Sequence, residues 1–492
     1  MGLISLGAYS GTMRIPDFKG LNQYGDGIGV DPRFAMELTG ADTREGILRP
    51  MAECELLYPS LASPIETLVL LHRRWHVVDI ERDVLIAASD GKLYWCLPDG
   101  NSWAEIAMPE GFTAPQYASN AWSCVSYEIN PEDSDAPVDV LLMSNALDGM
   151  ICVRGDNLTV TQVKTPRKFG VIARHAERIW GGAIEDEPDM LVYSAPYDPF
   201  DWEQDSEHPE DGAGDIQQPS WDGDSFEALA PFGSQLVALK KNRVWRILGT
   251  NPGEYDFKEQ FGGGAPYSAT VVVDGARMLM LGRNGIMRYD GESVSPYYQE
   301  YACDVFRRMN RKFLPGACAA MHGDIYYCAL PLDNSQINNA VLMYNTAERT
   351  WLLREGIYVE DFLSTPDALY YTSATTPGKV WKWKDDGAVV PMRWVSGWQD
   401  FGYKNVTKSG FTIYLTVECK RPVDISFGIQ TEKKLKTKTI TFQPPADGKG
   451  AKQRRLVFGG SGRRFRLIIE SKGTEPWSLL GGIQLEAETD TD

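Results

Sequence analysis

The chain has 492 residues, which exceeds one ordinary core and predicts two or three domains. Its hydrophobic fraction of 43% allows a large buried core, and 47 glycines with 29 prolines indicate many turns between short strands. The net charge of −18 disfavours a general nucleic-acid-binding surface, and no apolar run approaches the ~18 residues of a membrane span.

Residues 1–60 are rich in glycine and turn residues, as in "GLNQYGDGIGVDPRF". We expect an extended arm that is held by the rest of the protein rather than by its own core. The opening "MGLISLGAYSG" lacks a signal-peptide pattern, and Leu6 stands where myristoylation needs Ser or Thr. Most of the eight cysteines lie in apolar runs and none forms a C-x-x-C pair, which predicts reduced core residues made in a cytosol.

Residues 61–392 carry a recurring pair of strands. In "KKNRVWRI" and "RNGIMRYDG", Asn or Gly supplies the positive φ of a tight turn between two strands. Spacings of 56, 39, 57, 42, 47 and 44 residues separate seven such units, anchored at Val84, Val140, Ile179, Leu236, Met278, Ile325 and Leu369. Propeller blades recur at about 40–50 residues, so we predict a seven-bladed β-propeller with insertions. The alternative is an irregular β-rich protein with coincidental spacing.

One stretch inside this region has helical periodicity. In "QEYACDVFRRMNRKF" (residues 299–313), apolar residues recur on one side and basic residues fall mostly on the other. This predicts a basic helix, which is either a phosphate contact or a surface insertion between blades.

Residues 393–492 change to longer alternating strands, such as "GFTIYLTVEC" and "RRFRLIIES". Some eight strands without a helix predict a separate β-sandwich, jelly-roll-like in type. Between Lys420 and Arg466, 13 Lys/Arg and 3 Asp/Glu give a net charge of +10, against −28 for the rest of the chain. This segregation reflects either a few solvated faces or a basic surface that docks on an acidic neighbour.

Side chains suited to catalysis are few. Of the five histidines, His72 and His76 lie in a strand-like alternating run, and no H-E-x-x-H zinc motif occurs. The glycines match neither a dinucleotide fingerprint nor a P-loop, and the acidic run 198–215 lacks calcium-loop spacing. We assign no catalytic, cofactor-binding or metal-binding residue, and expect Gln at His72, His76 or His322 to change stability at most.

The stretch "YSAPYDPFDW" (residues 193–202) breaks a strand and precedes the acidic run. Tyr193-Ser194, Asp198-Pro199, Trp202, Gly212-Ala213-Gly214 and the strand from Leu229 to Lys241 together resemble bacteriophage tail proteins of propeller type. The segments "FKGLNQ" and "AMELTGADTREGILRP", and also "SGWQDFGYKNVTKSGFTIYL", resemble the same family. Gly40-Ala41-Asp42 departs mildly from its pattern, which often has an Asn there. In length and layout the chain most resembles the packaged-DNA stabilisation (tail hub or nozzle) proteins of short-tailed phages.

The resemblance implies a structural, non-enzymatic virion component, made in the host bacterial cytoplasm and placed in the tail below the portal. It implies a closed ring of six or twelve copies, with six favoured, and contacts with portal, adaptor and other tail proteins. Packaged DNA would pass through the ring without sequence-specific binding, and no cofactor or membrane would be involved. Two alternatives stay open: a receptor- or glycan-binding tail propeller, and a propeller glycosidase with paired axial carboxylates.

Overall fold

The computed structural model describes residues 9–57, 60–75, 80–98, 100, 102–109, 122–133, 136–218, 223–260, 262–445 and 451–490. Over these residues the protein is all-β, as predicted, with antiparallel sheets and one short α-helix, α1 (Cys303–Arg308). Short 3-10 turns lie at Arg44–Gly46, Pro252–Glu254, Ser268–Thr270, Gln299–Ala302 and Leu314–Gly316.

The N-terminal segment supplies strands to sheets formed elsewhere in the chain. Its strands are β1 (Tyr9–Ile15), β2 (Ala35–Thr39), β3 (Ala41–Asp42), β4 (Arg49–Pro50) and β5 (Glu55–Leu57). Gly20 lies where the segment meets the later chain: Leu21 N–H donates to the Trp351 carbonyl over 2.7 Å, and a Cβ on Gly20 would lie 2.1 Å from that oxygen. Only glycine permits this approach.

Seven four-stranded antiparallel sheets follow in chain order within the described residues. Sheet 1 is β6 (Thr67–Trp75), β7 (Ile80–Ser89), β8 (Lys92–Cys96) and β9 (Ala104–Ile106); sheet 2 is β10 (Ser123–Ile129), β11 (Val138–Asn145), β12 (Gly149–Arg154) and β13 (Val160–Val163). Sheet 3 is β14 (Val171–His175), β15 (Arg178–Gly182), β16 (Met190–Tyr193) and β17 (Gly214–Gln217); sheet 4 is β18 (Phe226–Phe232), β19 (Gln235–Lys240), β20 (Val244–Leu248) and β21 (Asp256–Gln260). Sheet 5 is β22 (Val272–Asp274), β23 (Arg277–Gly282), β24 (Gly285–Tyr289) and β25 (Val294–Pro296); sheet 6 is β26 (Cys318–His322), β27 (Ile325–Leu330), β28 (Ala340–Asn345) and β29 (Thr350–Glu355). Sheet 7 is β30 (Asp361–Ser364), β31 (Leu369–Thr372), β32 (Val380–Lys382) and the N-terminal β5.

The predicted strand pairs are confirmed. Each of the seven anchor residues lies in the second strand of its sheet and is buried. Second strands such as β15, β27 and β31 are buried at every position instead of at alternate ones. Such continuous burial means that both faces of the strand are covered. This is why these segments read as unbroken apolar runs.

The seven sheets contact one another in a circle. The first strand of every sheet contacts the first or second strand of the next, and β30 of sheet 7 contacts β6 of sheet 1. Sheet 7 is completed by β5, where Leu57 pairs with Val380 and Glu55 with Lys382. β5 belongs to the segment predicted as an extended arm, and its place as the outer strand of sheet 7 was not predicted. Repeated four-stranded antiparallel sheets of this kind are consistent with propeller blades.

Two further sheets contain the C-terminal strands β33 (Met392–Ser396), β34 (Thr407–Cys419), β35 (Val423–Thr431), β36 (Leu435–Phe442), β37 (Lys452–Gly462), β38 (Phe465–Ser471) and β39 (Trp477–Asp490). C-terminal sheet I has the order β1-β39-β34-β37, and C-terminal sheet II has the order β2-β33-β38-β35-β36. Both therefore include a strand from the N-terminal segment. One hydrophobic core runs from Phe18 of that segment through Trp351 of sheet 6 to Trp394 of β33.

The helix predicted over residues 299–313 is shorter than expected. A 3-10 turn at Gln299–Ala302 leads into α1, which ends at Arg308. Met309 adopts an extended conformation and forms a bridge with Leu332, and Asn310 N–H donates to the Pro331 carbonyl. Pairing with a distant segment therefore replaces the last helical turn, and the apolar periodicity there reflects burial of Met309.

Candidate functional site

A concentration of positive charge lies on the two adjacent outer strands of the C-terminal sheets. β36 ends the order of sheet II and β37 ends the order of sheet I, and these two edge strands contact each other. We define the basic edge as Lys433, Lys434, Lys436, Lys438, Lys452, Arg454 and Arg455. Six of these side chains are exposed and Lys452 is partly buried. The charge that is segregated in the sequence thus lies along these two edge strands and in the turn before β36, which holds Lys433 and Lys434.

Strand register shows which way these cations point. Lys436 and Lys438 lie opposite Ile429 and Phe427, and Arg454 lies opposite Leu415 on the other sheet. Directly opposite residues of an antiparallel pair share a face, and those three apolar partners are buried. The two lysines and the arginine therefore lie on the core-facing sides of their sheets, at the margin where the sheets open to solvent.

One contact shows that the two strands form a single surface. The Lys438 ammonium lies 5.6 Å from the ring centroid of Phe458, which belongs to β37. This distance is within the range of a cation–π interaction. The lysine stem thus covers apolar surface of the opposite sheet while its charge stays at the rim.

The basic edge has no internal charge compensation. Among the described residues, none of the seven cations forms an ion pair with a carboxylate. Two other arginines of the same segment do: Arg466 pairs with Glu37 and Arg421 pairs with Glu475. Inward-pointing lysines also prevent an edge strand from pairing with another sheet. That role does not require so many uncompensated charges. A surface of this kind attracts an anionic partner.

A second charged feature is the connector, residues 194–213, which joins β16 to β17 of sheet 3. Arg178 at its base is 1% exposed, and its guanidinium donates to the Ser194 carbonyl at 2.8 Å, the Gly212 carbonyl at 2.6 Å and the Glu210 carbonyl. Trp202 is buried against Phe169, with ring centroids 5.2 Å apart. The connector is therefore a fixed loop rather than a loose linker.

The outer side of the connector is acidic and aromatic. Tyr197 is 76% exposed and Phe200 is 40% exposed. The carboxylates exposed on and just beyond this loop are Asp198, Asp201, Glu203, Asp205, Glu207, Glu210, Asp211 and Asp215. No Lys or Arg of the described residues forms an ion pair with any of these eight. The stretch that interrupts the strand pattern thus presents uncompensated negative charge beside two exposed rings.

The histidines singled out in the sequence lie apart. His72 Nδ1 contacts the Asp83 carboxylate across β6 and β7 of sheet 1, whereas His322 Nδ1 lies 3.2 Å from Ser364 Oγ, between sheets 6 and 7. His76 lies outside the described residues. Within the described hydrogen bonds, neither histidine joins both a hydroxyl or thiol and a carboxylate, as a nucleophile–base–acid arrangement requires.

Two carboxyl groups with raised pKa values lie at the start of the first strand of sheet 7. Burial raises the pKa of Asp361 to about 6, although its carboxylate accepts a hydrogen bond from Phe362 N–H at 2.9 Å. Burial also raises the pKa of Glu360. Sequence patterns did not identify these residues, because their burial depends on how the sheets meet.

Comparisons with known proteins return structural similarity alone. No protein-family model matches the chain, and a search of curated proteins finds no match. BBS1N, solved in complex with ARL6DN, is 11% identical at a TM-score of 0.41 over 68% of this chain and 99% of that one. The extracellular domain of the putative one-component system BT4673 from B. thetaiotaomicron is 9% identical at a TM-score of 0.43, covering 87% of this chain and 63% of that chain. A chain of the mitotic checkpoint complex is 11% identical at a TM-score of 0.36, covering 66% and 96%. At these TM-scores the similarities carry no argument about function.

In the described residues, no helix is long and apolar enough to cross a membrane.

Proposed function

We propose that the chain is a structural component of a phage tail, a hub or nozzle ring below the portal that retains packaged DNA and forms part of the ejection conduit. In this proposal the circle of seven sheets is a seven-bladed β-propeller, residues 61–392, whose last blade is closed by β5. The two C-terminal sheets form a β-sandwich, residues 393–492, to which the N-terminal arm contributes β1 and β2. The support is the motif resemblance around the connector together with this arrangement of sheets.

The observation that carries the docking part of the proposal is the uncompensated basic edge. The protein has a net charge of −18, yet it gathers five cations on two adjacent edge strands and two more in the turn before β36, and such a surface is suited to an anionic partner. In a tail that partner is the acidic surface of a neighbouring subunit. The remaining negative charge suits a DNA conduit, because a wall of like charge binds phosphates weakly and lets DNA slide.

The experiment is direct visualisation of the purified full-length chain by electron microscopy, at ~50 mM and ~500 mM salt. We expect closed rings of one diameter, with six copies favoured, that fall apart at high salt because screening shortens to about 3–4 Å. If the chain is monomeric at both salt concentrations and at high protein concentration, the proposed ring is contradicted.

One alternative has an observation in its favour. Tyr197 and Phe200 are both exposed on the connector, and exposed aromatic side chains are used by receptor- and glycan-binding proteins. A glycan array separates the alternatives: binding that is lost on substitution of Tyr197 by Ala would favour a receptor-binding propeller. Hydrolysis of a bound glycan, lost on substitution of a single carboxylate, would favour a glycosidase.

A further inference from the structure

We propose that the connector of one copy of this chain docks on the basic edge of the next copy, so that the two surfaces form a head-to-tail interface. This inference rests on the ring assembly in the proposed function and names the surfaces that build it. Its occupant is a second copy of the chain. The argument uses the positions of the two surfaces, their charges and their exposed apolar groups.

The two surfaces belong to parts of the fold that are far apart in the order of contacting sheets. The C-terminal sheets join the circle through sheet 6, where β2 contacts β29 and Leu21 bridges to Trp351. Sheet 3, which carries the connector, is three steps from sheet 6 in one direction and four in the other, the largest separation in a circle of seven. The connector joins the two outer strands of its sheet, so it lies at the periphery.

The basic edge lies at the end of C-terminal sheet II that is farthest, in strand order, from the circle. In C-terminal sheet II, β2 contacts sheet 6 and β36 lies at the opposite end of the five-stranded order. Four strand spacings of about 4.8 Å separate them, or roughly 19 Å. From these separations we infer that the connector and the basic edge of one chain do not meet. Those of two copies can, and repeated head-to-tail contact produces a ring or a filament.

The chemistry of the two surfaces is complementary. The connector carries eight exposed carboxylates that form no ion pair with Lys or Arg. The basic edge carries seven cations that form no ion pair with a carboxylate, so the two surfaces have opposite charge. Each surface also exposes large apolar groups: Tyr197 and Phe200 on the connector, and Leu435 (51%) and Val457 (46%) on β36 and β37. Val457 shares the outer face of its sheet with Arg455, and Leu435 lies on the outer face of β36, next to Lys434 in the chain. Charged groups around a few exposed apolar side chains are the usual composition of a specific protein interface.

The test is a charge-reversal cycle in the full-length chain, with self-association measured by sedimentation velocity at ~50 and ~150 mM salt. The basic-edge variant carries Lys434→Glu, Lys436→Glu and Arg454→Glu. The connector variant carries Glu203→Lys, Glu207→Lys and Asp211→Lys, whose carboxylates cap no turn, unlike Asp198, Asp201 and Asp205. The control, Lys164→Glu with Lys404→Glu and Lys472→Glu, makes the same charge change at exposed lysines elsewhere.

We expect each reversed variant alone to associate at least ~10-fold more weakly than the unaltered chain. Combining both sets in one chain, or mixing the two variants, should restore association to within ~3-fold, because opposite charges face each other again. The control should stay within ~2-fold. Restoration also shows that the variants are folded.

Three results would overturn the interface. The unaltered chain could associate while neither reversed variant weakens it, in which case the ring stands and its interface lies elsewhere. Both variants could weaken association without mutual rescue, so that the surfaces do not face each other. The basic edge could instead bind a 30-base-pair DNA duplex at ~150 mM salt, with that binding lost in the basic-edge variant and self-association unchanged. The location of the chain in purified virions is a separate measurement. Failure of the proposed interface can therefore be distinguished from failure of the proposed tail function.

Discussion

At the scale of single residues, Arg178 is the side chain on which the connector depends most. Its fully buried guanidinium donates to three backbone carbonyls from both ends of the loop. Arg178→Ala removes these donors from buried acceptors, and we expect a loss of about 3 kcal/mol in the free energy of unfolding. Thermal unfolding and limited proteolysis should show a lower Tm and faster cleavage within residues 194–213.

The matched control is Arg167→Ala, which removes an exposed arginine that pairs with Glu187 in the same sheet region. An exposed ion pair contributes about 0–1 kcal/mol, so the control should leave Tm and connector cleavage nearly unchanged. Equal effects of the two substitutions would contradict the role given to Arg178.

The carboxyl group of Asp361 predicts a pH dependence of stability. Its pKa is about 6 in the folded protein, against about 4 in an unfolded chain. Between these values the folded state holds more protons, so the stability contributed by this group is present below pH 4 and is lost as the pH rises through 6. Asp361→Asn cannot ionise and its amide oxygen can still accept from Phe362 N–H. The Tm difference, variant minus unaltered chain, should therefore increase from pH 4 to pH 7.

Glu360→Gln is the companion measurement, because burial raises the pKa of Glu360 as well. The Tm difference of this variant from the unaltered chain should also increase from pH 4 to pH 7. A Tm difference for Asp361→Asn that stays constant from pH 4 to pH 7 would mean that the carboxyl group titrates normally.

At the scale of secondary-structure elements, attachment of the N-terminal segment depends on close backbone approach at Gly20. A Cβ there would lie 2.1 Å from the Trp351 carbonyl oxygen, so Gly20→Ala forces the backbones apart. We expect a loss of roughly 1–3 kcal/mol and earlier proteolysis within residues 9–57. Gly253→Ala is the control, since nothing lies within 4 Å of its Cβ position. Identical proteolysis of the two variants would contradict this contact.

The strands that could be predicted from the sequence are those marked by local patterns of apolar and turn residues. The seven strand pairs were visible because each second strand is a short apolar run next to turn residues, as at Met278 in β23 and Ile325 in β27. The partners of β1, β2 and β5 could not be predicted, because pairing between Leu57 and Val380 spans more than 300 residues and leaves no local pattern. A different contact outside the local sequence, the bridge between Met309 and Leu332, shortened the helix that the periodicity had predicted.

The candidate site was predictable in composition but not in arrangement. Counting charges located the basic segment, but only the register opposite Phe427 and Leu415 shows that Lys438 and Arg454 share an opening between two sheets. The acids of the connector were equally visible. Arg178, within "ERIW", resembles a surface arginine in sequence, and nothing local indicates that it is buried.

At the scale of the whole molecule, the N-terminal segment joins sheet 7, sheet 6 and both C-terminal sheets, so residues 393–492 alone lack two strands of those sheets. Tests of docking therefore belong to the full chain.

We expect a phage in which Lys433, Lys434, Lys436 and Lys438 are all replaced by Glu to yield at least ~10-fold fewer tailed particles. The purified variant should remain folded, because these four side chains are exposed, and its Tm should fall only by the loss of the contact between Lys438 and Phe458. Normal particle yield from this variant would contradict docking through the basic edge.

Whether this chain forms a ring in a phage tail can be seen in a cryo-electron microscopy reconstruction of purified virions of the phage that encodes it. We expect density for this chain as a closed ring around the tail axis below the portal. In that ring, the circle of seven sheets and the two C-terminal sheets of each copy fit as one unit, and the lumen is wide enough for duplex DNA. Absence of the chain from the particle, or density confined to the tip of a fibre away from the axis, would contradict it.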